Sequence, residues 1–379
     1  MSKVRHVLGI SGGKDSAALA IYLNDKYPKL DMEYYFCDTG KELDETYQLI
    51  ERLRSYLGKK IKKLTAREPE MAGKNPFDFY YEAYRGYLPS TFARWCTKKM
   101  KLEPFEQFVG QSLAVSYVGI RGDEDREGYI SRKPNIQSIF PFRRNIWSED
   151  VVSRVLDNAN VSQVAELYSN FISGRELDRA VEVALDPFKI DAHSKRQTQQ
   201  NRTDKLNRLL SIAVIPFNKV VFEFLRSTNV PIAFDDDYAL LENDDVLVRD
   251  DIFRILDASG VGIPGYYSKE QFEVDGQKGE YARSRSGCYF CFFQQKIEWV
   301  WLYERHPDLF EKAVAYENEK EGFTWNQHES LRDLIEPRRM EQIKRDHVRR
   351  DGATKSSQSK YLIDILEGTE DVGCTACFV

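Results

Sequence analysis

The densest chemistry in the chain lies in six consecutive residues, Ser11-Gly12-Gly13-Lys14-Asp15-Ser16. Adjacent glycines let backbone N–H groups turn toward one anion, and a helix opening at that point adds the field of its N-terminus. Lys14 supplies a point charge, and the Ser11 and Ser16 hydroxyls can donate to phosphate oxygens. The pattern points to a nucleotide phosphate. It is not the loop of the common P-loop NTPases, because Leu8 stands where that motif has its first glycine and Asp15 follows the lysine. A glycine-rich strand–helix turn with no ligand is the plain alternative.

The six cysteines are Cys37, Cys96, Cys288, Cys291, Cys374 and Cys377. Cys37 closes the apolar run Tyr34-Tyr35-Phe36-Cys37 and reads as core. Cys288 and Cys291 follow a Ser286-Gly287 turn, and Cys374 and Cys377 form a second Cys-x-x-Cys pair. Such pairs point to a metal or redox site rather than a disulfide framework. Four thiolates suit a tetrahedral Zn²⁺; Cys96, Cys288 and Cys291 with one C-terminal cysteine suit a [4Fe–4S] cluster; free thiols are the third possibility. The pairs stand too far apart for a local zinc ribbon, so the fold has to bring them together.

The elements that must position these groups alternate. Apolar runs at 4–10, 32–37, 59–64 and 115–120 read as strands, and 17–23 and 43–57 as helices, the latter with Tyr47, Ile50, Leu53 and Leu57 at helical spacing. Alternation of this kind predicts an α/β fold with a doubly wound, mostly parallel sheet, whose ligands bind beyond the carboxyl ends of the strands. The clusters at 11–16, 38–40 and 121–126 fall at such ends. We expect a nucleotide-binding domain over 1–145, a mainly helical insertion over 146–249, and a helical C-terminal segment over 250–379 carrying the cysteine site. Within the insertion, 150–157 echoes 250–257, as a duplicated helix or by chance. The stretch 338–360 reads as a helix end plus a linker.

Composition narrows the class. Of 379 residues 42% are hydrophobic, enough for a core. No apolar run reaches the roughly 18 residues of a membrane span. The N-terminus runs straight into a strand with no secretory h-region, so a cytoplasmic location is expected. A net charge of −5 excludes a uniformly basic surface but not a local nucleic-acid groove. Basic stretches at 195–208 and 338–360 and the aromatics at 289–301 are the candidates for such contacts, with solvated helix faces and core as the alternatives.

The Ser-Gly-Gly-Lys-Asp-Ser loop after an N-terminal strand resembles the PP-loop of the ATP pyrophosphatase (adenine nucleotide alpha-hydrolase) superfamily. Three more motifs are similar to its PAPS-reductase branch: Cys37-Asp38-Thr39-Gly40-Lys41-Glu42-Leu43-Asp44-Glu45-Thr46-Tyr47, Arg94-Trp95-Cys96-Thr97 running to Lys101, and Gly119-Ile120-Arg121-Gly122-Asp123-Glu124-Asp125-Arg126. The Cys288-x-x-Cys291 knuckle resembles that of Dnd-type phosphorothioation sulfurtransferases. The resemblance implies ATP held at Ser11–Ser16 and cleaved to AMP and PPi, with Mg²⁺ bridging its phosphates and AMP passing to an acceptor. Lys14 and Arg126 would offset charge, Asp15 or Asp38 would hold Mg²⁺, and Thr39 and Gly40 would lie near adenine or ribose. Arg94, Lys101, Gly119 and Arg121 would complete the nucleotide site, and Cys96 would be a cluster ligand.

The expected activity is adenylation for sulfur transfer to nucleic acid, as in DNA phosphorothioation and phage defence, with a sulfur donor such as a cysteine desulfurase. Two rivals are a sulfonucleotide (PAPS or APS) reductase and a non-catalytic nucleotide-sensing subunit of a defence complex. Two departures disfavour the reductase: Trp95-Cys96 replaces a Cys-Cys pair, and Gly373-Cys374-Thr375-Ala376-Cys377 lacks the Glu and His of the reductase nucleophile motif.

Overall fold

A computed structural model describes residues 3–67, 71, 73–124, 131–326 and 329–356. Its centre is a five-stranded, all-parallel sheet of β1 (Arg5–Gly9), β2 (Met32–Cys37), β3 (Ile61–Leu64), β4 (Ala114–Tyr117) and β5 (Ile136–Ile139) in the order β3-β2-β1-β4-β5. The α/β, doubly wound expectation holds. The chain runs outward from β1 through β2 to β3 and then returns to lay β4 on the other side of β1. The crevice between the ends of β1 and β4 is therefore the topological switch point, where such sheets bind ligands.

The helices of the sheet region are α1 (Lys14–Lys26), α2 (Asp44–Leu57), α3 (Pro76–Ala83), the short α4 (Trp95–Thr97) and α5 (Glu103–Val109). A π-type turn, Lys98–Leu102, joins the last two. Successive strand residues face opposite ways, so each strand feeds two cores. Leu8, Tyr34, Phe36, Val115 and Tyr117 pack with α1 and α2, whereas Val7, Tyr35, Leu64, Ala114 and Ile136 pack with Phe105 and Val109 of α5. β5 escapes a pattern search because its sequence, Ile-Gln-Ser-Ile, places Gln137 and Ser138 in buried positions. Gln137 is accommodated because its Oε1 accepts the Ile232 N–H at 3.1 Å.

The segment 146–249 contains α6 (Glu149–Val155), α7 (Val161–Tyr168), α8 (Gly174–Leu185), α9 (Lys195–Ile212) and α10 (Val214–Arg226). Trp147, Val152, Tyr168, Phe217 and Tyr238 join the same core as α1 and the sheet. α11 (Arg249–Ala258) packs on α1. Both echoed segments are helical, but Val161 opens α7 while Val261 lies in a loop, so the echo does not continue past one helix.

A hairpin, β6 (Glu270–Val274) and β7 (Gln277–Tyr281), then turns at Asp275-Gly276, both at positive φ. An Asp-Gly pair between strands is a readable hairpin signal. The rest is α12 (Lys296–Arg305), α13 (Pro307–Val314), α14 (Leu331–Leu334) and α15 (Pro337–Ser356). Here two expectations are corrected. The stretch 338–360, read as a helix end plus linker, is helical over its described part, up to Ser356, held by Ile343 and Val348 packing into the C-terminal core. The aromatics Phe290, Trp299 and Trp301 are buried in that core with Phe77 and Trp325, so they cannot stack bases. Among the described residues no helix is long and apolar enough to cross a membrane.

Candidate active site

The phosphate loop bridges β1 and α1. Gly12 adopts φ +78°, and a Cβ there would run into the Thr46 methyl group, so the tight turn requires glycine. The two serines close the loop on itself: Ser16 Oγ accepts the Ser11 N–H at 3.1 Å, lies 3.0 Å from Ser11 Oγ and donates to the Gly13 carbonyl at 3.1 Å. α1 opens at Lys14 with no side-chain cap on its first turn, leaving N–H groups for a ligand.

Across the switch point, Gly119 brings the extension of β4 against that first turn. A Cβ at Gly119 would stand 2.9 Å from the Asp15 carbonyl oxygen. This contact delivers Arg121, whose guanidinium meets Asp15 Oδ1 at 3.0 Å, Asp123 Oδ1 at 2.9 Å and Glu124 Oε1 at 2.7 Å. Lys14 Nζ reaches Asp15 Oδ2 at 3.3 Å. Burial works against the Arg121 charge, but Asp15 and Glu124 outweigh it and hold the guanidinium protonated. Asp15 is thus shared between two cations. Asp38 is committed differently: it accepts from the Gly40 N–H at 2.7 Å and the Tyr47 hydroxyl at 2.9 Å and pairs with Lys63.

The C-terminal segment closes over this loop. The Tyr266 hydroxyl donates to the Gly12 carbonyl at 2.7 Å, Lys14 Nζ lies 5.0 Å from the Tyr267 ring centre, and a Cβ at Gly13 would stand 2.7 Å from Ser286 Oγ. Two residues on, the cysteine knuckle pairs with the loop after β2. Tyr289 N–H donates to the Lys41 carbonyl at 2.9 Å, and Cys288 Sγ lies 3.1 Å from Thr39 Oγ1. Thr39 donates to Glu42 Oε1 at 2.8 Å, which leaves its oxygen to accept from the thiol. Burial pushes both the Glu42 carboxyl and the Cys288 thiol upward, Glu42 adding to the shift at Cys288.

Cys96, Cys288 and Cys291 line one narrow cavity of about 40 Å³, together with Thr39, Lys101 and Ser286. Soft thiol donors around one hollow fit a thiolate-bound metal in kind. Among the described residues, however, no group of three or more Cys, His, Asp or Glu side chains is close enough to hold an ion. Cys37 points elsewhere, to the Lys101 carbonyl at 3.6 Å, and burial pushes its thiol up to about 12. Arg94 sits over the Phe293 ring at 5.2 Å, on the rim of the thiol cavity rather than at the loop. Arg126, Cys374 and Cys377 lie outside the described residues.

Three residues escaped the sequence reading, Tyr266, Tyr267 and Arg283, while Glu42 and Ser286 were read only as parts of a motif and a turn. Arg283 is buried, donates to the Cys288 carbonyl at 3.1 Å, and keeps Nε and one Nη without a hydrogen-bond partner. An unpaired buried guanidinium is costly and marks an anion-ready position. Its signal was the run Arg283-Ser284-Arg285-Ser286 just before the knuckle.

Residues 5–170 match the phosphoadenosine phosphosulfate reductase domain family. The uncharacterized protein MJ0066 of Methanocaldococcus jannaschii is 32% identical over 156 residues, which cover 37% of this chain and 30% of that protein. The uncharacterized protein MJ0973 of the same organism is 27% identical over 160 residues, covering 39% and 36%. The chain thus spans about a third of the length of these curated relatives. No solved structure matches it. The family match, on a five-stranded parallel sheet with its loop at the switch point, supports placing this domain in the PAPS-reductase-like branch of the PP-loop superfamily, a nucleotide-utilising, sulfur-related enzyme family.

Proposed function

We propose that the protein cleaves ATP to AMP and PPi at the Ser11–Ser16 loop, adenylates an acceptor, and passes sulfur to that acceptor from the adjoining thiol cavity. The observation that carries this reading is the contact between the two parts: Tyr266, Tyr267 and Ser286 cover the loop while Cys288, two residues past Ser286, bonds to Thr39. Nucleotide activation and thiol chemistry thereby share one enclosure.

In this mechanism the loop N–H groups and Lys14 hold the β and γ phosphates, and Arg283 adds charge from the lid. Arg121 and Lys14 fix the orientation of Asp15 from its two oxygens, and Asp15 would be the carboxylate that holds a Mg²⁺, which would supply positive charge to the phosphates. Lys14 stabilises charge on the departing pyrophosphate, which is the main protein contribution in such transfers. Thr39 and Glu42 fix the position of the Cys288 sulfur beside the loop after β2. Cys96, Cys288 and Cys291, with Cys374 or Cys377, would hold a [4Fe–4S] cluster or, alternatively, Zn²⁺; the metal would supply a Lewis-acidic, thiolate-bound centre next to the nucleotide.

The acceptor we favour is nucleic acid, in a DNA phosphorothioation-like reaction of phage defence, with a cysteine desulfurase as sulfur donor. The support is the resemblance of the Cys96 and Cys288-x-x-Cys291 motifs to those of Dnd-type enzymes. PPi release from ATP, followed in the presence of candidate acceptors, tests the first step: Lys14→Ala abolishes it. PPi release unchanged in that variant overturns the mechanism. Sulfite release from PAPS or APS with a thiol reductant would instead establish the sulfonucleotide reductase. Tight ATP binding with no turnover under any acceptor would establish the sensing subunit.

A further inference from the structure

A second hollow, of about 500 Å³, opens between the chain after β5 and the α9 helix of the insertion, with Gly122 and Glu124 also in its lining. Its volume falls within the range of small-molecule sites, roughly 300–1,000 Å³. Phe140 and Trp147 form an apolar wall, and Arg144 and Arg202 stand among the lining residues. Arg144 donates to the Leu210 carbonyl at 2.7 Å, and Arg202 to Gln199 Oε1 at 2.9 Å. Among the described residues neither guanidinium pairs with a carboxylate. Two buried N–H donors of the lining residues, Arg202 Nε and Trp147 Nε1, have no hydrogen-bond partner.

The nearby carboxylates are engaged otherwise: Glu124 pairs with Arg121, and Glu149 accepts from Gln199. A hollow with two guanidiniums lacking counter-ions, spare N–H donors and an aromatic wall is matched by an oxyanion carried on a ring. Guanidinium forks bind phosphate in preference to weaker anions because two N–H groups meet two oxygens.

We propose that this cavity binds a phosphomonoester of nucleotide size, as a second site separate from the phosphate loop. The site lies one residue chain away from that loop, through Glu124, Arg121 and Asp15, so its occupant sits beside the nucleotide without sharing its ligands. The phosphate can belong to a free mononucleotide or to the end of a nucleic-acid strand.

The test uses the full chain with saturating ATP and Mg²⁺ to fill the phosphate loop. Calorimetric titration then follows AMP, a 5′-phosphorylated tetrathymidylate, and the same two molecules without phosphate. A phosphorylated probe is expected to bind beside ATP, and the Arg144→Gln/Arg202→Gln variant to weaken it by about tenfold or more. ATP affinity and the unliganded melting temperature should stay as in the wild type. Binding of AMP identifies the free nucleotide as the source, and binding of the oligonucleotide alone identifies a strand end; either supports the site. If the double variant does not fold, Arg202→Lys keeps the charge and removes the fork, and should still weaken binding measurably. Loss of all probe binding once ATP is present, equal affinity in a folded variant, or equal binding of the dephosphorylated probes overturns the proposal.

Discussion

The two hollows beside the switch point are built from opposite materials. The thiol cavity is narrow and apolar, bounded by three cysteines and by Phe77, Phe290 and Phe293, and its polar groups are tied to one another. The arginine cavity is about twelve times larger by volume, 500 against 40 Å³, and carries donors without acceptors. Arg121 lines neither, but it is committed to three carboxylates, one of which, Glu124, lines the larger hollow. The contrast teaches a division of labour: a narrow, apolar enclosure suits reactive sulfur, while a roomy polar one suits a ligand that arrives solvated.

The largest effect is expected at Lys14, which sits in the phosphate loop and lines neither hollow. Lys14→Ala should lower PPi release by about 10²-fold or more, since removing one fixed charge from developing negative charge costs that much in comparable sites. Arg121 touches the loop through Asp15 and the larger hollow through Glu124. Its removal takes the guanidinium from buried Asp15 and Glu124, with Lys14 still beside Asp15, so Arg121→Ala should cost about 3–5 kcal/mol in urea unfolding. Cys288→Ala should strip iron or zinc from anaerobically purified protein, by elemental analysis, whereas Arg202→Gln should leave metal content as in the wild type. Equal loss in both variants would erase the distinction between the cavities.

Smaller effects test the scaffold. Gly12→Ala should destabilise by about 1–3 kcal/mol through its positive φ and the collision with Thr46, and Thr46→Ser should recover part of that by removing the methyl. On the insertion side, burial raises the Tyr168 hydroxyl above its usual range. The folded chain keeps this proton where the unfolded chain has lost it, so the associated stability is present below pH about 10 and declines as pH rises above it. Tyr168→Phe should flatten that alkaline decline in urea midpoints. The substitution costs little otherwise, because the hydroxyl has no hydrogen-bond partner.

The sheet and the loop were legible because both are local. β2 falls on the expected residues, and Gly12, Lys14, Asp15 and Arg121 converge where strand ends alone would put them. What escaped depended on contacts across hundreds of residues. Nothing local to Tyr266 or Ser286 says that they cover Gly12 and Gly13, some 250 positions earlier. The basic run 195–208 is divided for the same reason. Lys205 in it is buried and bonded to the Ala184 and Asp186 carbonyls, Arg208 pairs with Asp186, and Arg202 turns to the arginine cavity. Asp38 illustrates the remaining ambiguity: a strand-end carboxylate reads as a metal ligand, yet its oxygens hold Gly40, Tyr47 and Lys63.

The central claim is that the phosphate loop and the thiol cavity form one site. The most direct measurement is the alkylation rate of Cys288 in the full chain, mapped by mass spectrometry, with and without ATP and Mg²⁺. If the two form one site, ATP slows labelling of Cys288 in the wild type and has no effect in Lys14→Ala. An alkylation rate untouched by saturating ATP in the wild type would contradict the claim.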